Sequence, residues 1–129
     1  MFKLDKLKQY SPAITRISLS LVFLWFGVNQ LFDAEKFMGY LPEFLLSSSY
    51  ASSLVIFNGI FEVLAGVLLL VGKFIRPVSL VLAGHLFFII LSLGYNDIAV
   101  RDFGLMLITI STFIGGKDIW SLDYLKKKV

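Results

Sequence analysis

The sequence predicts an all-α fold, a transmembrane four-helix bundle with antiparallel helices and both termini cytoplasmic, and three observations carry that reading. Of the 129 residues, 57% are hydrophobic and 16% charged, with a mean hydropathy of +0.83, a balance foreign to water-soluble domains. Four apolar runs, at about 13–32, 54–72, 77–95 and 98–116, approach the roughly 20 residues that cross about 30 Å of hydrocarbon. Finally, the basic residues gather in alternate connections, as the positive-inside rule requires of a chain that crosses four times. A soluble bundle would need a polar face at helical spacing, and none of the four runs supplies one. Residues 1–129 therefore read as a single membrane domain.

The first run follows Lys3, Lys6 and Lys8 and contains Arg16. That basic start resembles a signal peptide, but no small-x-small cleavage site follows, and the continuation "FGVNQLF" favours retention as a helix. The connector at 33–53 contains "AEKFMGYLPEFLLSSSYA", too long for a tight turn. Phe37, Leu41, Phe44 and Leu45 fall on one side of it, which predicts an amphipathic stretch lying in the outer interface rather than a lid. Gly39 and Pro42 interrupt any long helix there. The second run ends at Gly72 and is followed by Lys73 and Arg76. The third leads to Asp97. The fourth reaches membrane length only if Arg101 and Asp102 lie inside the helix.

Sidedness follows from the charges. Basic residues cluster before the first run, between the second and third, and in Lys117 and the terminal "DYLKKKV". Asp33, Glu35, Glu43 and Asp97 dominate the other connections. This places a multi-pass protein in the cytoplasmic membrane, N-in and C-in. Tyr10, Trp120 and Tyr124 then mark the inner interface, with Tyr40, Tyr50 and Tyr95 at the outer one. The net charge of +3 is spent on orientation and on lipid headgroups, so no nucleic-acid partner is expected. Gly27, Gly59, Gly66, Gly84 and Gly104 permit close helix approach.

With the orientation set, depth can be counted. Asn29 and Gln30 fall near the outer end of the first helix. Asn58 lies about 6 Å, and Glu62 about 12 Å, below the outer end of the second. His85 lies about 15 Å down the third, and Arg101 with Asp102 about 5 Å down the fourth. These residues predict a polar pocket opening outward, and the inner half of the bundle shows no comparable path. An ionised carboxylate alone in hydrocarbon costs several kcal/mol, so Glu62 must be protonated or paired, facing the bundle interior. It reads either as an interhelical hydrogen-bond clamp or as the centre of a ligand, proton or ion site. Arg101 and Asp102 are neighbours and point about 100° apart on a helix. They are expected to find separate partners, Arg101 toward Glu62 and Asn58, Asp102 toward Asn29 or Gln30. Capping of the fourth helix is the plainer alternative for both.

The exclusions are firm. The chain has no cysteine, which removes disulfides, thiolate metal sites and dithiol redox chemistry from it. His85 is the single histidine, so two histidines of one chain cannot hold a haem. No spacing supports a metal site and no covalent cofactor is implied. A complete catalytic constellation is also lacking, which leaves enzyme status open.

Three segments, "SLVFLWFGVNQLF", "GIFEVLAGVLLLVGKFIRP" and "RDFGLM", in this order, resemble the DoxX family of small four-helix membrane proteins over almost the whole sequence. The family's acidic residue of the second helix and its Arg-Asp pair opening the fourth match Glu62, Arg101 and Asp102. Where relatives often carry a lysine near the end of the first helix, this chain has Gln30. The resemblance implies either a subunit of a membrane oxidoreductase complex, such as thiosulfate:quinone oxidoreductase, or an assembly factor. Two readings follow. The pocket of Glu62, Arg101, Asp102, Asn58, Asn29, Gln30 and His85 binds a small amphipathic ligand, a quinone being the candidate, beside a partner redox subunit or a second copy. Alternatively, the chain is a non-catalytic scaffold whose polar cluster locks the helices.

Overall fold

The computed structural model describes residues 2–41, 43–47, 49–94 and 96–124. Pro42, Tyr95 and the terminal lysines 126–128 lie outside the described residues. The elements are α1 (Phe2–Leu7), α2 (Ser11–Phe32), α3 (Glu43–Leu46), α4 (Ala51–Val71), α5 (Ile75–Leu93) and α6 (Asp97–Gly115), with 3-10 segments at Lys8–Tyr10 and Ala34–Tyr40. Among the described residues there is no strand. Four helices are long and apolar enough to cross a membrane.

Each long helix ends for a local reason. Pro12 sits in the first turn of α2, where its missing N–H costs nothing. Helix α4 stops at Gly72, whose φ of 77° lies in the left-handed region. The amide of Lys73 donates to Leu68 O at 2.9 Å, closing a Schellman-type end. Helix α6 starts on Asn96, whose side chain accepts from the Ala99 amide at 2.8 Å. Arg101 and Asp102 thus lie inside that helix.

Packing rests on stripes at helical spacing. Ala13, Arg16, Ser20, Phe23, Gly27 and Gln30 are the buried face of α2; Ala51, Val55, Gly59, Glu62, Gly66 and Leu69 are that of α4. These two faces meet at glycines: a Cβ on Gly27 would stand 2.9 Å from Gly59 O, and one on Gly59 would stand 2.9 Å from Gly27 O. Only hydrogens let the backbones come so close. Gly66 likewise receives the Leu24 side chain, whereas Gly84 and Gly104, expected to do the same, face open space. The apolar core of Leu19, Phe23, Leu69, Ile75, Leu82 and Leu86 lies between the helices. Large apolar side chains such as Trp25, Leu64, Phe87 and Ile114 point outward, as lipid-facing residues do.

The connector departs from expectation. Phe37 is turned inward and buried, with its ring edge-on to Phe26 at a centroid distance of 6.1 Å. Phe44 is 72% exposed, so the two do not share a face. The reason is local: Ala34–Tyr40 forms a 3-10 segment directly after the α2 cap at Asp33, and the tight turns swing Phe37 over the bundle mouth. The segment brings Phe37 over this end of the bundle.

Candidate functional site

At the connector end of the bundle, Glu62 is the hub of a polar network. It is 5% exposed. Gln30 Nε2 donates to its Oε2 at 2.9 Å, and Asn58 Nδ2 donates to its Oε1 at 3.2 Å. Asn58 also donates to Gln30 Oε1 at 2.8 Å, closing a three-residue ring across α2 and α4. From α5, His85 Nε2 stands 3.3 Å from Glu62 Oε1, its ring edge-on to Phe61. Glu62, expected to be protonated or paired and to face the bundle interior, is buried with two amides and an imidazole as its neighbours, and not with Arg101.

Arg101 and Asp102 behave otherwise than expected. They pair with each other: Arg101 Nε and Nη2 stand 3.3 and 3.2 Å from Asp102 Oδ1. Backbone directions differ by about 100° for adjacent helical residues, but the arginine stem is long enough to fold back along α6. Its guanidinium lies over the Phe26 ring, 4.9 Å from the centroid, a cation–π contact. Asp102 is buried and Arg101 sits at the rim, its side chain 44% exposed. Asn29 is not part of the cluster; its amide donates to Trp25 O at 2.7 Å on its own helix.

Two cavities flank this network. One, of about 50 Å³, has Gln30, Asn58, Glu62, Arg101 and Asp102 on its walls under Phe26 and Phe37. The other, of about 180 Å³, shares Gln30, Asn58 and Phe37 and adds His85, Phe88 and Ser92. The Gln30–Asn58 pair therefore faces both spaces, and Phe37 roofs both. The smaller space suits one or a few waters. The larger is below the roughly 300 Å³ at which pockets begin to enclose drug-sized ligands. Among the described residues, no three histidine, aspartate or glutamate side chains converge as a metal site would need.

A second buried cluster, at the opposite end, was not anticipated. Arg16 is 1% exposed. Its Nε and Nη2 donate to Asp118 Oδ2 and Oδ1 at 2.7 and 3.2 Å, and its Nη1 donates to Leu69 O and Leu70 O at 2.7 and 2.6 Å. The guanidinium thus bonds two carbonyls at the end of α4, one of them, Leu69 O, shared with the Gly72 amide, while forking onto a carboxylate. Asp118 also accepts from the Trp120 amide at 3.0 Å, and its own amide donates to Ser121 Oγ at 3.1 Å. Ser20, Ser79, Thr109 and Thr112 are buried as well. Thr109 and Thr112 bond carbonyls one turn back, and Ser79 Oγ has no partner among the described residues. Buried polar side chains therefore occupy this end of the bundle as well. The signal was present: Arg16 sits three residues after Ala13 and four before Ser20, on the stripe that ends in Gln30.

A helical bundle clothed in apolar side chains and carrying its charges inside is a small multi-pass membrane protein. The chain belongs to the DoxX family, whose model matches residues 11–94. That match takes in Gln30, Asn58, Glu62 and His85 and ends before Arg101 and Asp102. No curated protein and no solved structure matches the chain.

Proposed function

We propose that the protein binds a small amphipathic ligand at the connector end, with a single-ring quinone headgroup as the fitting chemistry, and serves as the membrane subunit of an oxidoreductase complex in the cytoplasmic membrane. The observation that carries this reading is the Gln30–Asn58 pair exposed to two cavities with Glu62 and His85 behind it. Amide donors and acceptors there suit a carbonyl or phenol oxygen, Arg101 at the rim suits an anionic one, and Glu62 with His85 suits transfer of a proton. A space of about 180 Å³ takes the headgroup only and leaves a tail in lipid. The sidedness follows the charges: Lys8, Lys73, Arg76 and Lys117 belong to the inner end, Asp33, Glu35 and Asp97 to the outer. Antiparallel helices in one domain are supported by Arg16, early in α2, reaching the end of α4 while Gln30, late in α2, reaches Asn58 and Glu62 nearer its middle.

The test is ligand retention through gentle purification, read by native mass spectrometry and solvent extraction. Glu62→Gln removes the carboxylate and keeps the shape, so a bound quinone should be lost while the helical spectrum stays unchanged. Retention equal to that of the unaltered protein refutes the assignment.

The scaffold reading has one observation in its favour: the ring of Gln30, Asn58 and Glu62 is internally satisfied. Replacing Arg101 and Asp102 together by leucine separates the two readings. Removing both leaves no buried carboxylate stranded without its rim cation, so a scaffold keeps its partner whereas a ligand site loses its occupant.

A further inference from the structure

The turn between α4 and α5 holds a feature that the connector-end pocket does not use. Phe74 has φ 57°, a left-handed conformation costly for a residue with a side chain. Asp123 holds it there, its Oδ1 accepting from the Phe74 amide at 3.0 Å and its Oδ2 from the Ile75 amide at 2.9 Å. The Phe74 ring, half-exposed, stands between two hollows and lines both, as does Pro77. One hollow, of about 460 Å³, carries Arg76 and Lys117. The other, of about 430 Å³, runs between Phe61, Leu64 and Leu68 of α4 and Pro77, Val78 and Val81 of α5, all of them apolar. Lys73 adds a third cation, its Nζ 5.2 Å above the Phe74 ring.

Arg76 lies against the end of α6. A Cβ on Gly116 would stand 2.8 Å from its Nε and 3.1 Å from its Nη2, so the guanidinium rests beside the Gly116 backbone. Gly116 has φ 70°, which also favours glycine. One long bond, Nη2 to Ile114 O at 3.4 Å, ties Arg76 to the end of α6. Among the described residues it has no carboxylate partner, and its remaining donors are available for an anion. The carboxylate of Asp123 lines the same hollow and is turned onto the two backbone amides.

The geometry points to a built site for one anionic phospholipid, its phosphate on Arg76 and Lys117 and an acyl chain in the groove between α4 and α5. A guanidinium beside a lysine recognises phosphate oxygens. From Leu68 to Phe61 the groove runs about 10 Å, most of the depth of one leaflet of a hydrocarbon layer about 30 Å thick. Phe74 is the hinge piece between head and tail: its strained backbone points the ring to where glycerol meets hydrocarbon, the level that aromatic rings favour. This site is independent of the ligand proposed at the other end of the bundle.

The test uses the full-length protein in nanodiscs holding equal amounts of phosphatidylglycerol and phosphatidylcholine, with retained lipid read by native mass spectrometry. One phosphatidylglycerol per chain should survive, enriched about tenfold or more over phosphatidylcholine, as two cations near a phosphate imply. Arg76→Gln with Lys117→Ala should bring the ratio near one, whereas Val81→Trp should reduce retention of both lipids by filling the groove. Equal retention of the two lipids in the unaltered protein, or enrichment that survives the double change, overturns the proposal; the first readout needs no variant to fold. Soluble glycerol phosphate displacing the lipid at equal concentration identifies a free-phosphate site and overturns it too. A dimer that Val81→Trp dissolves assigns the groove to a second copy, with the same consequence.

Discussion

Arg16 offers the sharpest test of how this bundle is held. Replacing it by methionine keeps an apolar stem on the α2 stripe but removes every donor. Among the described residues, buried Asp118 would keep only the Trp120 amide at 3.0 Å, and Leu69 O and Leu70 O would lose their charged donor at 2.7 and 2.6 Å. Breaking a buried pair by removing one partner costs about 3–5 kcal/mol. Charge-assisted bonds to carbonyls contribute about 1.5–3 kcal/mol each, but they belong to the same event and do not add to it in full. The expected loss for Arg16→Met is therefore about 4 kcal/mol. Titration from mild detergent into SDS, followed by circular dichroism and by Trp120 fluorescence, reads it, since the Trp120 and Tyr10 rings pack at a tilt with centroids 5.2 Å apart. Adding Asp118→Leu should recover at least half of the loss, because no charge is then stranded. A single change costing less than about 1 kcal/mol, the usual value of an exposed pair, would show that water reaches the cluster and that the burial argument is wrong.

Three further outcomes follow from the same geometry. Gly27→Ala should cost about 1–3 kcal/mol, as overpacking does, because its new Cβ meets Val63 and Gly59, while Gly84→Ala, in open space, should leave the SDS midpoint unchanged; equal effects would refute the glycine contact. Phe37→Ala should cost roughly 3 kcal/mol and speed exchange of any bound ligand by unroofing both cavities, so an unchanged off-rate would deny it the role of lid. The chain has no native cysteine, so Ser47→Cys should react with an impermeant maleimide in intact cells and Lys117→Cys only after permeabilisation; the reverse pattern would invert the proposed topology.

Much of this was legible in the sequence because membrane helices write their burial at a regular period. The stripe through Ala51, Val55, Gly59 and Glu62 puts the carboxylate on the packed face, and that already requires partners for it. The same stripe on α2 carries Arg16, which in sequence reads as flanking charge because basic residues so often precede membrane helices. Its partner Asp118 lies 102 residues away, beyond the last helix, and no local pattern links the two. Phe37 was missed for a related reason: a helical wheel assigns faces only where the chain is an α-helix, and Ala34–Tyr40 is a 3-10 segment. The Arg101–Asp102 pair escaped because backbone direction was used where side-chain length decides. Gly84 and Gly104 fit the packing pattern by type, but glycine spacing alone does not say which face has a neighbour.

The distance along the chain between Arg16 and Asp118 has a consequence for biosynthesis. At about 5–20 residues per second, the ribosome needs roughly 5–20 s after making Arg16 before Asp118 exists. Leu69 and Leu70 arrive midway and offer carbonyls, but the guanidinium keeps an uncompensated charge until the final segment is complete. The strained turn at Phe74 is in the same position, since its cap, Asp123, comes later still. A chain stalled after α5 therefore presents the membrane with a bare buried cation and an uncapped helix, two marks by which quality control can tell an unfinished copy from a finished one.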